Sequence, residues 1–313
     1  MTPDILRHSM RLRHFDPEML AGIVNGGRFE HHILTRAPCH VRHRRAACGS
    51  FSIDTARYSF PFRASGSFAG NFLAITYFRR LTGQTWMNGF HCGGESLQLH
   101  PAGSEVNCRL ETGAEWVAIE MDERALQTAA VERLGRPLSL PWTGTVDLPV
   151  AGGAMAALDR AVRRFLRPSS GPDDVAAVLG ALAEAIARGD KSAPTAQASR
   201  WRHRHDLIAR ADSFLQAHGH EPFRSAALAA AVGATERSLQ QHFAAAYGLS
   251  PARWARCRAL HHARQRLLGE KSGRFTVESI ARDSGFRHMG RFASYYRELF
   301  GEHPSDTMAR ARR

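Results

Sequence analysis

One stretch of this sequence occurs twice. Residues 228–251 read LAAAVGATERSLQQHFAAAYGLSP, and residues 280–304 read IARDSGFRHMGRFASYYRELFGEHP, 52 to 53 positions later. In each copy an apolar-alanine pair (Leu228-Ala229; Ile280-Ala281) precedes a glycine by four residues (Gly233; Gly285). A large apolar residue follows (Leu239; Phe292), then an aromatic four later (Phe243; Tyr296), another four later (Tyr247; Phe300), and at once Gly-x-x-Pro. Each element has a mechanical reason. The alanine lets a second helix cross closely over the first, and the glycine suits a turn that needs positive φ. Apolar positions four apart seat the second helix on its neighbour. Gly248 and Gly301 then stop that helix, and Pro251 and Pro304 suit the first turn of the next. The pattern predicts two helix-turn-helix units. Two copies are too few for a solenoid of stacked repeats.

The repeat lies in the most basic part of the chain. Of 313 residues with formal net charge +13, residues 200–313 hold 20 Arg and Lys against 10 Asp and Glu, and residues 1–199 hold 22 against 19. Lys191 and Lys271 are the only lysines. A basic third of this kind points to a polyanion, with nucleic acid ahead of an anionic membrane. The five cysteines (Cys39, Cys48, Cys92, Cys108, Cys257) include no CxxC pair, which disfavours a disulfide framework or zinc finger and fits a reducing cytoplasm. No apolar run long enough to span a membrane and no signal-peptide core occurs, so a cytoplasmic protein without a membrane segment is expected.

Residues 29–120 read as short strands such as 51–58, 71–78 and 116–120, β-branched or aromatic and bounded by Gly, Ser or Pro. They suggest a small antiparallel barrel or sandwich. From Asp122 the period turns helical and stops at Gly135; two more helices are expected over 154–166 and 173–188. That hairpin either covers an open end of the barrel or forms the seam of a homodimer. The chain thus divides into a sensor or dimerisation domain over 1–190, a linker of small and polar residues over 191–204, and a helical domain over 205–310. The expected fold class is α+β: an N-terminal β-rich, cupin-like barrel with a helical hairpin, and a C-terminal all-α double helix-turn-helix domain.

Residues 205–310 resemble the paired helix-turn-helix domain of the AraC/XylS (arabinose-regulator) transcription factors. The second copy, with Ile280-Ala281, Gly285-Phe286 and Phe300-Gly301-x-x-Pro304, carries the resemblance most specifically. It implies seven helices in two subdomains joined by a long central helix, here roughly Pro251 to Leu268. It further implies a sensor or dimerisation domain, often cupin-like, in the remainder, and RNA polymerase as a partner at the promoter.

A recognition helix reads bases with the outward residues of its first two turns. With Thr235 as N-cap and Leu239 and Phe243 inward, the outward set of the first copy is Glu236, Arg237, Ser238, Gln240 and Gln241. Arg237 suits guanine, and Gln240 or Gln241 suits adenine; the family resemblance points to the same three. In the second copy His288, Met289, Arg291, Ser294 and Tyr295 face outward, with Arg291 the main contact. Met289 and Gly290 stand where the family commonly has polar residues, and Gly290 weakens the helix by up to ~1 kcal/mol relative to alanine. The second reader is therefore expected to clamp the backbone more than it specifies sequence. Arg253, Arg256, Arg258, Arg264 and Arg266 lie on the central helix, where some should meet phosphates.

The N-terminal domain offers weaker signals. His31, His32, His40 and His43 cluster in sequence and His91 precedes Glu95 by four, yet the strand-rich region has no HxH pair of the kind a metal cupin shows. No cofactor, metal or catalytic set is expected. A barrel interior could hold a small-molecule effector, with Trp86, Phe90, Trp116, Tyr58 and Phe78 as walls and Arg63 or Arg109 as anchors, although ordinary core is the commoner role. Cys92 and Cys108 could sense oxidants. The expected function is a sequence-specific regulator of transcription, an activator by family habit. The alternative is an enzyme, a metal cupin or DNA-repair transferase, fused to a DNA-targeting module.

Overall fold

The computed structural model describes residues 4–36, 38–83, 85–88, 90–140, 144–190 and 195–312, with backbone alone at 90 and over 195–205. Two compact units divide the chain: Met1–His31 with Ala37–Ala198, and His32–Arg36 with Ser199–Arg313. Together they give an α+β protein with a β-rich, cupin-like N-terminal part and an all-α C-terminal part.

In chain order the N-terminal part runs β1 (Leu6–Leu12), α1 (Pro17–Ala21), β2 (Arg28–Ile33), β3 (Val41–Cys48), β4 (Phe51–Tyr58), β5 (Phe62–Ser67), β6 (Leu73–Arg80), β7 (Trp86–Met87), β8 (Phe90–His91), β9 (Ser96–His100), β10 (Glu105–Leu110), β11 (Glu115–Met121), α2 (Glu123–Leu134), β12 (Val146–Pro149), α3 (Gly152–Phe165) and α4 (Asp173–Ala187). The strands do not close into one barrel. They form a seven-stranded sheet, β1-β3-β4-β11-β6-β9-β12, and a five-stranded sheet, β2-β5-β10-β7-β8.

Alternation along the strands assigns each face of the larger sheet. Phe51, Ile53, Ile75, Tyr77, Val117 and Ile119 point to a core completed by Leu126 of α2, Leu158, Val162 and Phe165 of α3, and Leu182 and Ile186 of α4. The helical hairpin thus packs on the face of the larger sheet, where covering an open barrel end was expected. The opposite face carries buried polar groups and meets the smaller sheet, where Thr76 Oγ1 reaches Met87 Sδ at 3.6 Å and the Tyr58 and Phe62 rings lie 4.0 Å apart. There Asp54 accepts hydrogen bonds from Arg45 Nε at 2.7 Å and the Asn25 N–H at 2.8 Å, with His43 Nε2 at 2.8 Å.

Among the described residues the C-terminal part has seven helices: α5 (Thr195–Ala217), α6 (Ser225–Ala231), α7 (Glu236–Tyr247), α8 (Pro251–Gly269), α9 (Val277–Asp283), α10 (Met289–Phe300) and α11 (Pro304–Ala311). Helix α5 begins inside the segment expected as linker. Residues 195–204 are therefore helical, since the Ala, Gln and Arg there favour a helix once one is started; residues 191–194 lie outside the described set. The two helix-turn-helix units are α6–α7 and α9–α10, and α8 is the long helix between them.

Each unit is built on the repeated apolar positions. Leu228, Ala229, Leu239 and Phe243 are buried in the first, and Ile280, Ala281, Phe292 and Tyr296 in the second. Asp212 of α5 ties the first half together: it accepts from Trp254 Nε1 at 2.7 Å and Tyr247 OH at 2.8 Å, and its carbonyl accepts from Arg258 at 2.6 Å. In the second half Glu302 accepts from Arg264, from Arg310 at 2.8 and 3.0 Å, and from Thr307 at 2.8 Å. Burial opposes its charge, but the bonds from Arg310 and Thr307 and the Arg264 charge prevail and hold its carboxyl down to about 2.

Two outcomes test this description. Glu120 is 1% exposed on the sheet face shared with Asp54, and neither carboxylate oxygen has a hydrogen-bond partner among the described residues. Burial, and then the Asp54 charge, push its carboxyl up to about 7. A carboxyl raised on folding favours the folded state below the unfolded value and loses that advantage as pH climbs to the folded one. Urea unfolding should show the N-terminal part weakening by about 2–3 kcal/mol between roughly pH 4.5 and 7, a slope that Glu120→Gln removes. The second outcome concerns the two turn glycines. A Cβ on Gly285 (φ +86°) would sit 2.8 Å from the Gly219 carbonyl oxygen, whereas one on Gly233 (φ +67°) meets nothing within 4 Å. Gly233→Ala should cost about 1 kcal/mol of left-handed strain, and Gly285→Ala clearly more, read as separate shifts in thermal unfolding.

Candidate nucleic-acid interface

Helix α7 starts where Thr235 places its hydroxyl over the Ser238 N–H at 3.1 Å, and it ends at Gly248 in the left-handed conformation, φ 63°. Leu239, Phe243 and Tyr247 are buried, which turns the rest of the first two turns outward. Glu236, Arg237, Gln240 and Gln241 are exposed; Ser238 is half-buried, its N–H occupied by the cap. Arg237 has no acidic partner among the described residues, so its guanidinium is presented to solvent with all its donors.

Helix α10 ends in the same way, with Gly301 at φ 77°, but starts differently. Its N-cap is His288, whose side chain makes no capping bond. His288, Arg291 and Ser294 are exposed, while Met289 is half-buried. Tyr295, expected outward, is half-buried with Arg256 stacked 4.1 Å above its ring. This face of the second reader is therefore shorter in polar groups than that of the first: Met289 and Gly290 supply none, and Tyr295 is engaged.

The arginines of α8 depart from expectation. Arg258 is bound to Asp212, Arg264 to Glu302, and Arg266 to Asp283 at 2.9 Å; Arg256 covers Tyr295. These four hold the domain together, and a guanidinium already bonded to a carboxylate offers little to a phosphate. Arg253 alone of the five is exposed with no side-chain partner among the described residues. Sequence reasoning passed over Arg287, exposed in the turn just before α10, where its position next to His288 was the available signal.

In the N-terminal part the expected pocket residues take structural places. Tyr58, Phe78, Trp86 and Trp116 are buried, and the Phe90 side chain lies outside the described residues. Arg63 donates to Asn107 Oδ1 at 3.1 Å, and Arg109 pairs with Glu111 at 2.5 Å. Burial pushes the Cys108 thiol up to about 12 and Cys92 well above its ordinary range, which keeps both protonated and slow to oxidise. Burial holds His31 down to about 4 and His100 to about 3, so both rings are neutral. Among the described residues, no three His, Cys, Asp or Glu side chains stand close enough to hold a metal ion, and no helix is long and apolar enough to cross a membrane.

Comparison with known proteins falls on the same region. A family described as "Helix-turn-helix domain" matches residues 228–310. The probable thc operon regulatory protein of Rhodococcus erythropolis is 35% identical over 102 residues, 33% of this chain and 31% of that protein. The XylDLEGF operon transcriptional activator 1 of Pseudomonas putida is 43% identical over 74 residues, 24% of this chain and 22% of that protein. The match thus spans under a third of the length of these curated relatives. Among solved structures, a probable AraC family transcriptional regulator from Rhodopseudomonas palustris is 32% identical, with 34% of this chain and 99% of that chain covered at a TM-score of 0.32. The likeness to regulators lies in the basic third, where the turn, caps and buried aromatics are duplicated, and that domain is of the AraC/XylS type.

Proposed function

We propose that the protein is a sequence-specific DNA-binding regulator of transcription, with α7 and α10 entering successive major-groove segments roughly 10–10.5 bp apart. The observation that carries this reading is the unpaired Arg237 beside Gln240 and Gln241 on an exposed, capped helix start. Arg237 forks onto guanine O6 and N7, and one of the two glutamines pairs with adenine. Ser238 offers its hydroxyl from the same turn. On α10, Arg291 is the main contact, His288 and Ser294 hold phosphates, and Met289 packs against a thymine methyl or sugar. Arg253 and Arg287 add backbone contacts, which set register and affinity without reading sequence.

The cupin-like N-terminal part modulates the readers. A small-molecule effector or a partner alters it, or alters the pairing of two chains, and so changes how the readers are presented. Its place of action is promoter DNA in the cytoplasm, where contact with RNA polymerase activates transcription; the operon activators among the relatives support that sign. No catalytic step is assigned to any residue.

The test is titration of the full-length protein against DNA from its own upstream region, and against a site selected from random duplexes. Arg237→Ala should cost about 1–3 kcal/mol on the selected site and relax the preference at one base position. Arg291→Ala should weaken binding nearly equally across sequences. Failure of the selection to yield any motif would end the sequence-specific reading.

A further inference from the structure

The larger sheet of the N-terminal unit carries an arginine row that the DNA readers do not use. Residues 42, 44, 46 and 48 of β3 share one face; Ala46 and Cys48 are buried under the helices, while Arg42 and Arg44 emerge exposed beyond them. On that face Arg42 stands directly opposite Arg11 of β1 and Arg57 of β4. Arg57 stands opposite Glu115 of β11, and Glu115 opposite Arg80 of β6. Arg11, Arg42, Arg44, Arg57 and Arg80 are all exposed and have no ion pair among the described residues. Glu115, the carboxylate in the row, is within 3.5 Å of Arg79. Adjacent strands lie about 4.8 Å apart, so three guanidinium stems start within about 10 Å with nothing acidic between them.

Like charges directly opposed across a sheet destabilise it. An anion with closely spaced charges removes that penalty, and the fork geometry of arginine favours phosphate. We propose that this row binds the phosphate backbone of duplex DNA, as a sequence-independent contact carried on a different unit from the readers. Two features favour DNA over an acidic protein surface. The large exposed apolar side chains among the described residues are Leu6, Met19, Val131 and Phe275, and none of them is in the row; Leu6 belongs to the other face of β1, opposite Ala47. A protein interface needs apolar or aromatic anchors at its centre. Duplex DNA, by contrast, presents a charge about every 1.7 Å and needs only cations. The proposal rests on the reading above only in that the readers bring DNA within reach.

The experiment uses full-length protein and two duplexes, one of about 20 bp holding the selected site and one about three times as long. The salt dependence of binding is measured for each. Neutralising three phosphates gives a log–log slope about 3 steeper, so the wild type should be steeper on the long duplex by about that much. R11A/R42A/R57A should lose the difference while keeping the sequence preference, and R11K/R42K/R57K should keep it. If the alanine triple does not fold, R11Q/R42Q/R57Q gives the same reading. Equal wild-type slopes on the two duplexes, or an unchanged slope in the alanine or glutamine triple, overturn the proposal. So does row-dependent binding of polyglutamate with none of DNA, which would make an acidic protein the occupant. Absence of a sequence motif would instead count against the readers alone, because the length-dependent slope can be measured on random duplex.

Discussion

Asp212 is the group on which the geometry of the first reader turns. Its carboxylate collects the Trp254 indole and the Tyr247 hydroxyl, and its carbonyl collects Arg258, so α5, the end of α7 and the start of α8 meet at one residue. A buried indole N–H or tyrosine hydroxyl without an acceptor is costly, and a buried carboxylate without donors more so. The three groups therefore satisfy one another. The recognition helix inherits its orientation from this knot, because Tyr247 is its last residue and Trp254 lies one turn into the helix that follows. With Phe243 and Leu239 filling the space beneath, the outward placement of Arg237, Gln240 and Gln241 follows from packing.

The arginines show how little composition says before the neighbours are known. Arg264 and Arg258 hold the helical domain to itself, Arg79 holds α3 to the sheet through Asp159, and Arg45 neutralises a buried aspartate. Arg237, Arg291 and the row on the larger sheet have no such partner. The division follows the carboxylates: a guanidinium bonded to an Asp or Glu is structural, and these, without such a bond, stay exposed.

The helical domain was legible in the sequence because its signals are local and doubled. Turn glycine, apolar spacing of four and Gly-x-x-Pro each report on a few residues, and the second copy checks the first. Helices α2, α3 and α4 were legible from their period, and the strands from β-branched and aromatic runs. Less visible were properties that depend on what crosses over what. That the strands form two sheets, that Tyr295 lies under Arg256, and that most arginines of α8 are engaged all require contacts between residues far apart in sequence. The helical backbone over 195–204 was not legible because small and polar residues without an apolar stripe suit a linker and a helix alike. The arginine row was invisible for a simpler reason: Arg11, Arg42, Arg57 and Arg80 are scattered over seventy positions and share a line only after strand pairing.

The two halves of the helical domain are clasped by acids of different kinds. Asp212 is held by an indole and a phenol with the little-exposed Arg258 3.7 Å away, whereas Glu302 is held by two guanidinium groups, one of them on the half-exposed Arg310. Mobile ions screen the exposed Arg310 pair more than the buried bonds of either clasp. The Glu302 clasp therefore has one arm, Arg310, on which ionic strength acts more strongly than on any bond of the Asp212 clasp.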